Sequence, residues 1–151
     1  MRLDDFFPYK LAVAAEAVSH ALSQVYGKAY GLSREEWRIL AALDGTGPLS
    51  SVEIARRTTL DKVQVCRAAA RLEEKRLIWR DMAEDDKRLR LFACTDDGKA
   101  LFAQAFPAVN ARADEILALL DPAQRAGLDQ ALSVLMAAAG QITVDAPCPA
   151  D

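Results

Sequence analysis

The sequence predicts a mainly α-helical chain with one small β-hairpin, a winged helix-turn-helix set between long helices at both ends. Three observations predict it. Both ends carry apolar residues at helical spacing. A helix-start pattern, Ser or Asp followed three residues later by Glu or Gln, recurs along the chain. Between Leu77 and Cys94 the apolar period changes from helical to alternating, around a charged tip at Glu84-Asp85-Asp86-Lys87-Arg88.

The first helix is expected from about Pro8 to Tyr30, where Leu11, Ala14, Ala15, Val18, Ala21, Leu22 and Val25 recur on one stripe and Gly31 ends it. Ser33-Arg34-Glu35-Glu36 is a capping box that opens a second helix carrying Trp37, Ile39, Leu40 and Leu43, stopped by Gly45-Thr46-Gly47-Pro48. Ser50-Ser51-Val52-Glu53 opens a short third helix with Ile54 and Ala55 inward, and Asp61 with Gln64 opens a fourth. Two short helices joined by a few residues make a helix-turn-helix. Ile78 and Arg80 in one arm, and Leu89, Leu91 and Ala93 in the other, predict a two-stranded hairpin. Thr95 caps a long helix with Asp96 and Asp97 in its first turn, where the helix dipole favours acids. Asp121-Pro122-Ala123-Gln124 starts the last helix. The expected organisation is one unit, with dimerisation helices at 1–31 and 96–144, a winged helix-turn-helix at 32–95 and a disordered tail at 145–151.

A chain of 151 residues, 52% apolar and 27% charged, is large enough for a real core and ordinary for a globular protein. Its longest uncharged stretch, Gln130 to Val144, falls short of the roughly 20 apolar residues of a membrane span. The N-terminus has no apolar signal-peptide core, so a cytoplasmic location is expected, with no membrane partner. Cys66, Cys94 and Cys148 show no disulfide framework, and one histidine without a CxxC offers no metal site. No nucleophile turn or acid–base constellation argues for an enzyme, and no cofactor is implied. The net charge of −3 hides an asymmetry: residues 56–90 hold 11 Lys+Arg against 7 Asp+Glu, and the remainder is acidic. A basic segment on an acidic body can hold phosphates locally.

On the fourth helix, Val65, Ala69 and Leu72 share the inward face, and Val63, Arg67, Ala70 and Glu74 point the other way. The N-terminal part of a recognition helix meets base edges, which selects Lys62, Val63, Gln64 and Arg67. Gln64 suits adenine, Arg67 guanine, and Val63 a thymine methyl. At the hairpin tip, Arg88 suits the negative potential of a minor groove, with Asp86 orienting it or a neighbouring Arg and with Lys87 and Arg90 on phosphates. Arg56 and Arg57 either touch phosphates or complement the dipole at the third helix's end.

These residues carry a resemblance. Gly31-Leu32-Ser33-x-x-Glu36-Trp37-Arg38-Ile39-Leu40, Asp61-Lys62-Val63-x-Val65-x-Arg67-Ala68, Arg71-Leu72-Glu73-Glu74-Lys75-x-Leu77-Ile78, and Asp86-x-Arg88 followed by Thr95-x-x-Gly98 resemble the MarR family of bacterial transcription regulators. The resemblance implies a dimer built from the first and last two helices, a pseudo-palindromic double-stranded DNA operator, and release by a small, often aromatic, anionic ligand. Two positions depart from it: Arg76 stands where the family often has Gly, and Cys66 where Ser or Thr is usual.

The expected function is therefore that of a homodimeric DNA-binding repressor released by an aromatic carboxylate or thioester. Trp37, Arg38 and His20 are the expected effector pocket, by ring stacking and carboxylate pairing; the plainer reading makes Trp37 core and His20 surface. Cys66, near Lys62 and Arg67, is either a redox switch or a small filler. The other alternative is a winged helix used for protein contact, without an operator. Dimerisation is expected because Leu101, Phe102, Phe106, Leu117, Leu128, Leu132 and Leu135 exceed what a lone winged helix can cover.

Overall fold

The computed structural model describes residues 2–82 and 90–145, with side chains described as far as residue 140. Asp86, Lys87 and Arg88 of the expected wing tip, and the tail after residue 145, lie outside the described residues. The chain divides into two compact units, Met1–Ala113 and Asp114–Asp151.

In the first unit a short 3-10 turn, Leu3–Asp5, precedes α1 (Phe7–Tyr30). Gly31 ends α1 in the left-handed region at φ 63°, where a side chain is disfavoured. Then come α2 (Arg34–Leu43), β1 (Leu49–Ser50), α3 (Ser51–Thr58), α4 (Lys62–Glu74), β2 (Ile78–Met82), β3 (Arg90–Cys94) and α5 (Asp96–Leu117). The capping boxes at Ser33, Ser50 and Asp61 form as the sequence requires, each with reciprocal bonds to Glu36, Glu53 and Gln64. The predicted hairpin is in fact a three-stranded antiparallel sheet in the order β1-β3-β2. Leu49 pairs with Phe92 and Ile78 with Cys94. Two residues, the second of them the cap of α3, carry no readable period, so β1 is set by its partner strand.

The core lies between α2, α3, α4 and the sheet. Ile39, Leu40, Ile54, Val65 and Leu72 are completely buried. Val65, Ala69 and Leu72 face inward on α4 as the helical spacing requires, joined by Ala68. On β3 the buried face is Phe92 and Cys94, and Leu91 and Ala93 are only half-buried. Phe102 is buried and Leu101 packs against the same core, so these two are not surplus apolar surface. Rings join α1, α2 and α5 in one stack: Tyr26 on Trp37 at 4.8 Å, Trp37 on Phe102 at 4.9 Å and Phe102 on Phe106 at 5.6 Å.

In the second unit α5 finishes and α6 (Pro122–Asp145) begins. Asp121 and Gln124 cap α6 reciprocally at 3.0 and 2.8 Å. Leu117, Leu128 and Leu132 line an open apolar depression of about 500 Å³ beside Pro122. Leu119, Leu128, Val134, Leu135 and Met136 are exposed. No described helix is long and apolar enough to cross a membrane.

The end of α4 explains the departure at Arg76. The Arg76 N–H bonds to Glu73 O at 2.9 Å and the Leu77 N–H to Leu72 O at 3.0 Å, the pattern of a Schellman cap. That cap places Arg76 at φ 59°. A left-handed non-glycine residue costs about 1–2 kcal/mol. Arg76→Gly therefore should raise stability by about 1 kcal/mol, after the greater unfolded-state freedom of Gly is deducted. Urea denaturation checks it, and an unchanged or lower midpoint counts against the strain.

Candidate nucleic-acid interface

The exposed face at the start of α4 is built by local chemistry. Asp61 Oδ1 accepts the Gln64 N–H at 2.7 Å, which fixes the start of α4. The buried seam of Val65, Ala68, Ala69 and Leu72 then fixes its rotation. As a result Lys62, Val63, Gln64 and Arg67 all stand exposed on the first two turns, with Val63 55% exposed although apolar. An exposed valine beside a guanidinium suits a thymine methyl next to a guanine. Gln64 carries a second duty: its Oε1 accepts the Asp61 N–H at 3.0 Å. While the cap is closed, its amide N–H groups and the second lone pair of its carbonyl oxygen remain to meet a base.

Arg56 and Arg57 are exposed in the last turn of α3. Thr59 follows in the left-handed region at φ 59°, a strained conformation for a β-branched residue, in the turn between α3 and α4. Arg90 is exposed at the start of β3. It shares a partly open cleft of about 300 Å³ with Lys62, Cys66, Glu73 and Arg80, between α4 and the sheet. Within it Arg80 Nε pairs with Glu73 at 3.2 Å. Cys66 is exposed there, whereas Cys94 is buried on β3, where burial pushes its thiol up to about 11 and keeps it protonated.

The three residues expected to form an effector pocket do not meet. Trp37 and Arg38 line a cavity of about 400 Å³ together with Ala41, Ala42, Arg57, Thr58 and Thr59. His20 lines a separate shallow depression along α1 with Tyr9, Val13 and Glu16. Trp37 is both core and cavity wall: its ring stacks with Tyr26 and with Phe102, and it also lines the cavity. Arg57 and Thr59 are walls that sequence reasoning missed; Arg57 follows Arg38 by nineteen positions, and only the fold brings them together. Two guanidiniums beside an indole can take a planar carboxylate.

Arg34 clasps Glu16 with two bonds of 2.6 and 2.7 Å, which hold the Glu16 carboxyl below its ordinary value and tie α1 to α2. Thr95 ties α5 to the end of α4: its Oγ1 donates to Arg76 O at 2.7 Å and accepts the Gly98 N–H at 3.0 Å. No cluster of three or more metal-ligating His, Cys, Asp or Glu occurs among the described residues.

Comparison with known proteins places this geometry. A family model described as MarR family matches residues 30–89. The uncharacterized HTH-type transcriptional regulator YxaD of Bacillus subtilis is 38% identical over 80 residues, which are 53% of this chain and 56% of that protein. The chain thus spans little more than half the length of that curated relative. A MarR/EmrR family transcriptional regulator from Acinetobacter sp. ADP1 superposes with a TM-score of 0.82 at 26% identity, over 93% of this chain and 99% of the other. Bordetella bronchiseptica BpsR, whose DNA binding is regulated by 6-hydroxynicotinic acid, superposes with a TM-score of 0.78 at 22% identity, over 97% and 99% of the two chains, a likeness of fold. Motifs, helix-turn-helix, sheet and relatives agree: over residues 30–89 the chain is similar to the MarR family of winged helix-turn-helix transcriptional regulators.

Proposed function

We propose that the chain acts as a homodimeric, sequence-specific repressor that reads a pseudo-palindromic operator with the first two turns of α4. The observation that carries this is the exposed set Lys62, Val63, Gln64 and Arg67 on a helix whose rotation is fixed by a buried seam. Phosphate contacts fall to Arg56, Arg57 and Arg90, and to Lys87; Arg88, oriented by Asp86, enters the minor groove. Dimerisation is supported by apolar side chains left exposed in each unit, Phe6, Phe7, Val13 and Val18 on and before α1 and Leu128, Leu135 and Met136 on α6.

The effector is an anionic aromatic compound seated in the Trp37–Arg38–Arg57 cavity, with the carboxylate on the guanidiniums. His20 has no part in that cavity. BpsR supports the ligand class, since 6-hydroxynicotinic acid is a heteroaromatic acid. Sedimentation of a labelled duplex, selected by the protein from a randomised pool, tests these points together. Two chains per duplex are expected, and benzoate-like or hydroxynicotinate-like acids should weaken binding about tenfold, which requires only about 1.4 kcal/mol of coupling. The same acids should quench Trp37 fluorescence. Selection of no duplex removes the DNA reading. Binding without any acid response, but with release by peroxide that Cys66→Ser abolishes, replaces the effector with a redox switch.

A further inference from the structure

Three of the four capping boxes are cheap to build. Glu53 serves its box from the surface, and Gln64 and Gln124 serve theirs as exposed neutral amides. The fourth is different. Glu36 is 1% exposed and charged, although capping α2 needs neither property. Burying a carboxylate is unfavourable unless its remaining lone pairs are filled. They are filled by the far end of α4. Glu36 Oε2 accepts the Ser33 N–H at 2.7 Å and Lys75 Nζ at 2.9 Å. Oε1 accepts Lys75 Nζ at 3.0 Å and Arg71 Nε at 3.3 Å. Lys75 Nζ also donates to Gly31 O at 2.8 Å, the last carbonyl of the α1 turn.

One carboxylate thus gathers the end of α1, the start of α2 and the last turn of α4. The buried seam fixes which face of α4 turns inward, but apolar packing is non-directional and still allows the helix small rolls and slides about that orientation. A three-way ionic knot at its C-terminal end removes that freedom, because each bond has a direction. Two separate pairs stand nearby in sequence: Glu16–Arg34 joins α1 to α2, and Glu73–Arg80 joins α4 to β2.

We propose that Glu36 is the positioning residue of the recognition helix: through Lys75 and Arg71 it sets the roll and tilt of α4, and so controls specific rather than non-specific DNA affinity. The inference rests on the DNA-reading function proposed above. Base contacts need α4 in one pose, whereas flexible Lys and Arg side chains reach phosphates from many poses. Glu36→Gln keeps the Ser33 cap, as Gln64 and Gln124 do in their boxes, and loosens only the knot. Lys75→Met leaves the buried carboxylate with Arg71 alone and should lower the melting temperature more than Glu36→Gln does.

The test measures affinity of the full chain for the selected duplex and for a shuffled duplex of equal composition, across a salt series. For Glu36→Gln, specific affinity should fall about tenfold while shuffled-duplex affinity and its salt slope hold, since no phosphate contact is lost. The double variant should be no worse than Lys75→Met in specific affinity, because one unit has been broken once. Free of DNA, amide exchange at residues 71–77 should quicken in Glu36→Gln relative to α2 and α3. Equal loss on both duplexes, tracking the loss of thermal stability, overturns the positioning role, and so does unchanged specific affinity with unchanged exchange. A wild-type chain that does not discriminate the duplexes overturns the DNA reading itself and this inference with it.

Discussion

Gly98→Ala is expected to lower the melting temperature by roughly 10 °C, the equivalent of about 3 kcal/mol of overpacking. A Cβ on Gly98 would lie 1.9 Å from Leu77 O, 2.9 Å from its carbonyl carbon and 3.3 Å from its Cα. All three are backbone atoms, and none can swing aside. Leu77 is pinned from both directions, by its N–H on Leu72 O at 3.0 Å and by the Thr95 N–H on its carbonyl at 3.0 Å. The added methyl therefore must pry α5 away from the turn that leaves α4, breaking the Thr95 tether to Arg76 as it goes. Gly127→Ala in α6 supplies the control. Nothing lies within 4 Å of its would-be Cβ, so it should stabilise by about 0.5–1 kcal/mol through helix propensity. Thermal melts followed by circular dichroism separate the two. Equal midpoints would mean that the α5 packing seen here is not the packing in solution.

Arg67→Ala carries the largest expected effect on recognition: a loss of about 1–3 kcal/mol confined to one or two base positions in each half-site. Arg67 is exposed, two turns into a capped helix, with no ion pair among the described residues, so nothing in the fold holds it back from a base edge. Arg56→Ala is expected to behave differently. Its guanidinium stands exposed in the last turn of α3 and suits a phosphate, so the loss should be uniform across sequences, with a salt slope shallower by about 1. Binding-site selection with each variant, followed by titration at several salt concentrations, reads both patterns. If both variants lose affinity uniformly, Arg67 is a phosphate contact and base reading belongs elsewhere on α4.

What could be read from the sequence follows the range of the interaction. The caps at Ser33, Ser50, Asp61, Thr95 and Asp121 were legible because each bond spans three residues. The inward face of α4 was legible because helical geometry alone relates Val65, Ala69 and Leu72. What depended on distant pairing was not. β1 exists only because Leu49 and Ser50 meet Phe92 and Leu91, some forty residues on. Phe102 looked like surplus surface until Trp37 was seen stacked on it. Trp37 and Arg38 line one cavity and His20 lines a separate depression on α1, while Arg57 joins the first cavity only through the fold. Glu36 was read as a cap, which it is; its second bond, to a lysine 39 positions away, has no local signature.

On the proposed reading, the closed cap at Asp61 also constrains how the protein can change its target over evolutionary time. Gln64 holds the Asp61 N–H and, on the proposed reading, faces a base. Most replacements at that position would retarget the base and fray the recognition helix in the same step, so selection would see two effects at once. Glutamate escapes the conflict, since Glu36 and Glu53 close equivalent boxes in this same chain. It also reverses the preference, from an adenine that offers both donor and acceptor to a cytosine that offers a donor. The operators within one mutational step at position 64 are therefore few, and the helix cap chooses them.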